Sequence, residues 1–316
     1  MRFSVVIPLH RVTPEFEGAL SALGQLDHDD YEVLIVTDQP VTVPVGDRCR
    51  FVVTGSPVDT SPAEKRDAAL ASVTGDVIAY LDDDASPPPD WLRVAEEAFA
   101  DPGIGAIGGP GMIPPGSGIR ERAGGAVYES PLGSGPLAYR FSPRAERVVS
   151  DYPAYNLFVR AAAVRAINGW GSRFYGGEDT VFCRRLAEAG VRVHYEPRLV
   201  VFHHRRAVFG PHMRQVHNVG RHRGNFMRFG DPSSRSPAFV VAPAVVVVSI
   251  AWIVRAVFGR SHRRRLLLGA AAVAVAAACP DPAPRVRAVF PLALLAHHVA
   301  YTWGLITGFL SREMTR

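Results

Sequence analysis

Over the first 205 positions, apolar residues fall in short runs separated by longer stretches of helical spacing. Residues 3–7 (FSVVI), 31–36 (YEVLIV), 50–53 and 76–81 (DVIAYL) read as strands, the first stopped by Pro8. Residues 14–26 carry apolar positions at helical spacing. Ser61 caps a second helix, with Pro62 in the first turn and EKRDAALAS continuing it. Residues 91–100 form a third helical pattern. From 101 to 150 no clean period survives, and the stretch reads as long loops with room for a hairpin, Gly- and Pro-rich up to Gly118. Long loops in a compact domain are more often functional than idle. Order returns with a strand at 155–160 (YNLFVR), a short helix to Ile167, a turn at 168–171, a helix from Glu178, and β-like runs at 191–195 and 199–203. Strands alternating with helices predict an α/β fold, a mainly parallel sheet with helices on its faces.

The last quarter has a different pattern. Residues 238–258 (AFVVAPAVVVVSIAWIVRAVF), 266–279 (LLLGAAAVAVAAAC) and 288–310 (AVFPLALLAHHVAYTWGLITGFL) are almost wholly apolar. A membrane helix needs about 20 such residues, so the first and third are long enough and the second is short. Two or three C-terminal hydrophobic helices are expected. The turn GRSHRRR (259–265) holds four arginines, with Arg255 just before it, and such a loop belongs on the cytoplasmic side. A single crossing by 238–254 would put it outside. Because Pro243 interrupts a straight helix, an interfacial or re-entrant first segment resolves the conflict. The N-terminal apolar run is too short for a secretory signal, so the expected location is the inner (plasma) membrane with the α/β part cytoplasmic.

Composition adds less than this contrast. The 316 residues are 47% hydrophobic and 21% charged, and 35 basic against 30 acidic side chains give a formal +5. The averages would suit any soluble enzyme, but they sum two unlike parts. Residues 198–235 hold eight arginines and five histidines against one acid, Asp231, with Phe209, Phe226 and Phe229 interleaved. Directly before the apolar runs, this reads as an amphipathic interfacial helix on anionic headgroups, and nucleic acid is not expected as a partner. The expected division is 1–205 catalytic, 206–237 interfacial and 238–316 membrane. Cys49, Cys183 and Cys279 form no metal-binding pair, so a metal must be held by Asp, Glu or His.

Three clusters carry candidate chemistry. Asp82, Asp83 and Asp84 follow a strand directly, where like charges call for a counter-charge; a hard divalent cation, Mg2+ or Mn2+, is the natural one. In GGEDTVFCRRLAEAG (176–190), Glu178 and Asp179 open a helix, as helix caps or as a general base. In VFHHRR, His203 and His204 point to opposite faces of a strand, so at most one joins a given metal.

Together, SVVIPLHR near the start, Asp38, SPAEKRDAALASVTGDVIAYLDDDASPPPDWL, YNLFVR and GGEDTVFCRRLAEAGVRVHYEP resemble a family 2 glycosyltransferase of the GT-A fold, over about residues 3 to 204. The membrane segments are similar to those of bacterial members that build exopolysaccharide, the succinoglycan-type enzymes among them. The resemblance implies metal-dependent, inverting transfer of a sugar from a nucleotide-diphosphate donor to a lipid-linked or other membrane-associated glycan acceptor, in polysaccharide or cell-envelope biosynthesis. It implies that Pro8 lines the nucleotide pocket, Asp38 meets the base, Arg66 holds the nucleotide and Asp83 lies near the ribose. Asp82, Asp84 and His203 then hold the metal, with His204 as fallback. Asp179 is the base, supported by Glu178. Asp67 departs from the family's usual asparagine, which leaves its local hydrogen bonding open. The QxxRW of processive synthases is absent, since Gln215 begins QVHNVGRHRG. The rival readings are a non-catalytic membrane scaffold with the same fold and a metal-dependent phosphoesterase.

Overall fold

The structure, a computed structural model, describes residues 1–172, 176–229, 238–259 and 261–311. The contact pattern divides the chain into two compact units, one of Met1–Pro114 with Ser142–His204, the other of Pro115–Phe141 with the chain from Arg205 onward.

The first unit is α/β. Strands β1 (Phe3–Pro8), β2 (Tyr31–Thr37), β3 (Cys49–Val53) and β4 (Val77–Leu81) are parallel and lie in the order β3-β2-β1-β4. Every residue of β2 and β4 is buried, as expected for strands covered on both faces. The short strands β5 (Ala85–Ser86), β6 (Ala106–Gly108), β7 (Gly111–Met112) and β8 (Arg147–Val149) precede β9 (Asn156–Arg160), β10 (Val193–Tyr195) and β11 (Val201–His203). The main sheet continues β4-β9-β6-β10-β8, with β9 antiparallel to both neighbours. A second sheet, β5-β11-β7, sets His203 opposite Ala85. Helices α1 (Pro14–Leu23), α2 (Pro62–Ala69) and α3 (Trp91–Phe99) connect the early strands. Ser61 and Glu64 complete a reciprocal cap at the start of α2.

The expectation of loops between 101 and 150 is corrected. That stretch contains β6, β7 and β8 together with α4 (Ile119–Glu129) and the single turn α5 (Pro131–Ser134). Gly124 and Gly125 in the middle of α4 weaken its helical signal, and the helix is held by packing instead. In the second unit Ala123, Ala126 and Val127 of α4 share a buried cluster with Val208, Val286 and Phe290. Arg122 also grips Asp281 through two hydrogen bonds of 2.9 and 2.8 Å. Back in the first unit, α6 (Ala161–Ala166) follows β9, and α7 (Glu178–Glu188) precedes β10.

From Arg205 onward the described residues of the second unit form the helices α8 (Gly210–Phe229), α9 (Ala238–Phe258), α10 (His262–Ala277) and α11 (Pro284–Leu310). Pro243 does not end α9, which runs on through it. At the sixth position proline removes one bond, to the carbonyl of Phe239, close to an end where amides lack helical partners anyway. By length and composition, α11 is the one helix among the described residues long and apolar enough to cross a membrane, with 39% of its apolar window buried. Residues 230–237, with Asp231 and Arg235 of the basic segment, and Arg260 of the arginine turn lie outside the described residues.

Candidate active site

The predicted site residues lie in the α/β unit, and the parallel strands explain their grouping. Pro8, Asp38 and Asp82 stand at or just beyond the carboxyl ends of β1, β2 and β4, where side chains leave the sheet and functional groups of such folds gather. Asp84 and β5 then turn back beside β11. The β5–β11 pairing brings the His203 imidazole to Asp84, Nε2 to Oδ1 at 2.9 Å. One ligand atom each from Asp82, Asp84 and His203 falls within 4.8 Å of the others. Two carboxylates and an imidazole at that spacing fit Mg2+ or Mn2+. His203 is buried against Tyr155, ring centroids 4.9 Å apart, whereas the neighbouring His204 is exposed and gives its backbone amide to the Asp84 carbonyl. Burial pushes the Asp82 carboxyl up against the opposing pull of Arg66 and His203. Burial, then the charges of Asp84 and Asp82, pushes Asp83 up to about 6. The Asp83 carboxylate also accepts the His10 amide at 3.4 Å.

Arg66 is the hub of the site. Its side chain is 2% exposed; one terminal nitrogen donates to Asp82 at 3.0 Å and the other stands 3.5 Å from Glu178. The guanidinium lies 4.6 Å from the Trp170 ring, which stacks on Phe182 at 4.0 Å and meets Tyr80 edge-on. Arg66 therefore links the strand that carries the acidic triplet to the head of α7. Its Nε and the terminal nitrogen facing Glu178 are buried with no hydrogen-bond partner among the described residues, which leaves donors uncommitted. Arg66→Met is expected to destabilise the protein by about 3–5 kcal/mol, because two carboxylates lose their buried counter-charge. Urea unfolding followed by near-UV circular dichroism measures it, and a loss below about 1 kcal/mol contradicts the bridging role.

Glu178 and Asp179 open α7 after Gly176 and Gly177, whose φ values of 115° and 80° favour glycine. Glu178 accepts the Gly176 amide at 2.9 Å besides facing Arg66, and Asp179 accepts the Thr180 amide at 2.8 Å.

Asp38 is held more tightly than the sequence indicates. It receives Lys65 Nζ at 2.7 Å, the Thr60 hydroxyl at 2.6 Å and amide at 3.1 Å, and the Thr54 hydroxyl at 2.9 Å. Burial alone would raise its pKa, but those donors outweigh it and hold the carboxyl at about 2. Four donors use the whole acceptor capacity of a carboxylate. Lys65, Thr60, Thr54 and Trp170 are site-building residues that the sequence reading does not single out. Lys65, the one lysine in the chain, sits in the capped helix beside Arg66 and was the available signal.

The departure at Asp67 has a local explanation. Its two oxygens accept the amides of Trp170 at 2.6 Å and Gly171 at 3.0 Å, fastening α2 to the turn below the aromatic platform. Asparagine has one acceptor for these two donors, so Asp67→Asn is expected to lower stability by about 1 kcal/mol, read as a drop in Tm.

A mainly parallel sheet with carboxylates and a histidine gathered at its strand ends, beside the head of a helix bearing two acids, is a GT-A arrangement. A mannosyltransferase from Pyrobaculum calidifontis, solved with GDP-Man and Mn2+, matches 96% of this chain and 87% of its own with a TM-score of 0.58 at 19% identity, a likeness of fold. The family model described as Glycosyl transferase family 2 matches residues 4–164, just over half of the chain, and the protein belongs to that family. It is 33% identical over 210 residues to the pre-mycofactocin glycosyltransferases of two Mycobacterium tuberculosis strains, CDC 1551 and H37Rv, an alignment covering 64% of this chain. The match spans 43% of those curated relatives, less than half their length.

Proposed function

We propose that the protein is an inverting glycosyltransferase that moves a sugar from a nucleotide-diphosphate donor to a lipid-linked or other membrane-associated glycan acceptor, in polysaccharide or cell-envelope biosynthesis. The observation that carries this reading is the double engagement of Arg66, which couples the Asp82–Asp84–His203 group to the acidic head of α7. A site for transfer needs these two halves side by side, one for the departing diphosphate and one for the attacking hydroxyl. The α/β unit carries the chemistry and the helical unit carries membrane attachment, at the inner membrane with the catalytic side cytoplasmic.

Asp82, Asp84 and His203 would hold Mg2+ or Mn2+, which when bound supplies positive charge opposite the diphosphate. Arg66 offers its uncommitted Nε to the nucleotide, and Pro8 lines the pocket. Asp83 faces the ribose. Because Asp38 is saturated by Lys65, Thr60 and Thr54, it meets a base by sharing or exchanging one of those donors, and it otherwise shapes the pocket wall. Asp179 takes the proton of the acceptor hydroxyl as that oxygen attacks the anomeric carbon from the face opposite the leaving group, so configuration inverts. Glu178, fixed by Arg66 and the Gly176 amide, holds the approach of the acceptor.

The test is incubation of detergent-solubilised full-length protein with a panel of nucleotide sugars and membrane lipid extract. Release of nucleoside diphosphate supports transfer. Inorganic phosphate or nucleoside monophosphate indicates a phosphoesterase, and no turnover with any donor indicates a scaffold.

A further inference from the structure

Helices α8 and α11 run in parallel and touch along most of α8. His212 meets His297 at 3.1 Å near one end, and Arg228 reaches the Phe309 carbonyl at 3.0 Å near the other. Between them, four glycines set two backbones in contact. A Cβ at Gly220 or Gly224 would overlap the backbone of Tyr301 or Leu305, and one at Gly304 or Gly308 the backbone of His217 or Arg221. Small residues spaced four apart on both helices allow this approach.

The contact restricts what α11 can do. Any depth in a bilayer reached by its half from His297 to Phe309 is also reached by α8, which carries Arg214, Arg221, Arg223 and Arg228 and no acidic residue. Nor does α11 carry an acid to pair with them. Arg214, Arg221 and Arg228 have no carboxylate partner among the described residues, and three such arginines do not sit in hydrocarbon beside a helix that crosses it. The same arginines at the level of phosphate headgroups are favourable.

The remaining helices agree with that level. Helix α10 has 16 residues, about 24 Å of helix against a hydrocarbon core of about 30 Å, and none of its residues is buried in the protein. It opens with Arg263, Arg264 and Arg265, a few residues after Arg255 near the end of α9. The start of α9 is tied to the arginines of α8, with Arg223 stacked 4.1 Å over Phe239. Large apolar side chains nevertheless stand exposed on all three apolar helices, among them Trp252 and Phe258 of α9, Leu266 of α10 and Trp303 and Phe309 of α11. An apolar surface bordered by arginines, on helices whose charges forbid deep insertion, matches one leaflet of an anionic bilayer.

We infer that α8–α11 form a platform embedded in a single leaflet of an anionic membrane, with none of these helices crossing it. The apolar faces of α9, α10 and α11 lie among acyl chains, and the arginines of α8 together with Arg255, Arg263, Arg264 and Arg265 lie on lipid phosphates. The inference rests on the membrane location proposed above and alters its form: the enzyme is held to the surface on which its acceptor stands, with both ends of the helical unit on one side.

The experiment labels the full-length protein in right-side-out and inside-out membrane vesicles with a membrane-impermeant maleimide. Native Cys49, on the α/β unit, reports the catalytic side, and single cysteines are added as Ser261→Cys and Ser311→Cys. Both added cysteines are expected to react only in the vesicle orientation in which Cys49 reacts. Reaction of either from the opposite side overturns the inference, as does full-length protein that does not sediment with membranes. Arg214→Gln with Arg228→Gln, both at exposed positions, is expected to weaken partition onto phosphatidylglycerol-containing vesicles about tenfold to thirtyfold and leave partition onto pure phosphatidylcholine unchanged. Equal binding of variant and parent to anionic vesicles overturns the headgroup contact. Nucleoside diphosphate release is recorded on the same vesicles. One-sided labelling without turnover removes the catalytic reading and leaves the membrane inference standing.

Discussion

Asp179→Asn is expected to reduce sugar transfer by about 10²–10⁴-fold while leaving donor binding and the melting temperature close to those of the parent. Asp179 lies in the first turn of α7, where the helix dipole favours its negative form, and it accepts the Thr180 amide at 2.8 Å. Asparagine keeps the shape and an acceptor for that amide but cannot take up a proton, so the substitution separates the chemical role from the structural one. Glu178→Gln is the contrasting variant. It weakens the pairing with Arg66, so lower stability should accompany any loss of rate. Rates come from nucleoside diphosphate release in the presence of acceptor, and donor affinity from calorimetry. Asp179→Asn turning over at the parental rate would remove Asp179 as the base.

Asp84→Ala acts on the other half of the site. It is expected to abolish the enhancement of nucleotide binding by Mn2+, with metal affinity falling at least about 100-fold, beyond what loss of an outer partner of a metal ligand costs. Asp84 is paired with His203 at 2.9 Å, so its removal takes away one candidate ligand and the partner that orients another. Calorimetric titration of a nucleoside diphosphate with and without Mn2+ reads this directly and needs no acceptor. His203→Ala should fall between the parent and Asp84→Ala. If binding to Asp84→Ala remains as dependent on Mn2+ as binding to the parent, the metal is held elsewhere.

The two variants also indicate how much of the site could be read from the chain. The acidic triplet was legible because it follows a buried strand without a spacer, and Glu178-Asp179 because two glycines precede them at a helix start. The role of Arg66 as a bridge was not, since its partners lie 16 and 112 positions away and only the sheet brings Asp82 and Glu178 to the same guanidinium. The saturation of Asp38 was hidden for the same reason: Thr54 follows β3, Thr60 precedes the cap of α2 and Lys65 lies within α2. Asp67 read as a departure from a pattern, and only its two backbone donors explain it.

Helix α4 and the α8–α11 pair mark the other limit. Gly124 and Gly125 lower the local helical signal, and the packing of Ala123, Ala126 and Val127 with Val286 and Phe290 supplies what propensity lacks. In α8 and α11 the chain displays an arginine-rich helix and an apolar one, and each read alone has its own place relative to a membrane. By itself the sequence determined the α/β class, the strand ends where acids collect and the apolar character of the last quarter, because these depend on local period and on residues adjacent in the chain. The tertiary structure decided which carboxylates share a counter-charge, which histidine joins them and that an apolar helix is bound along half its length to a charged one. Those depend on pair contacts across 16 to 119 positions, which no local pattern encodes.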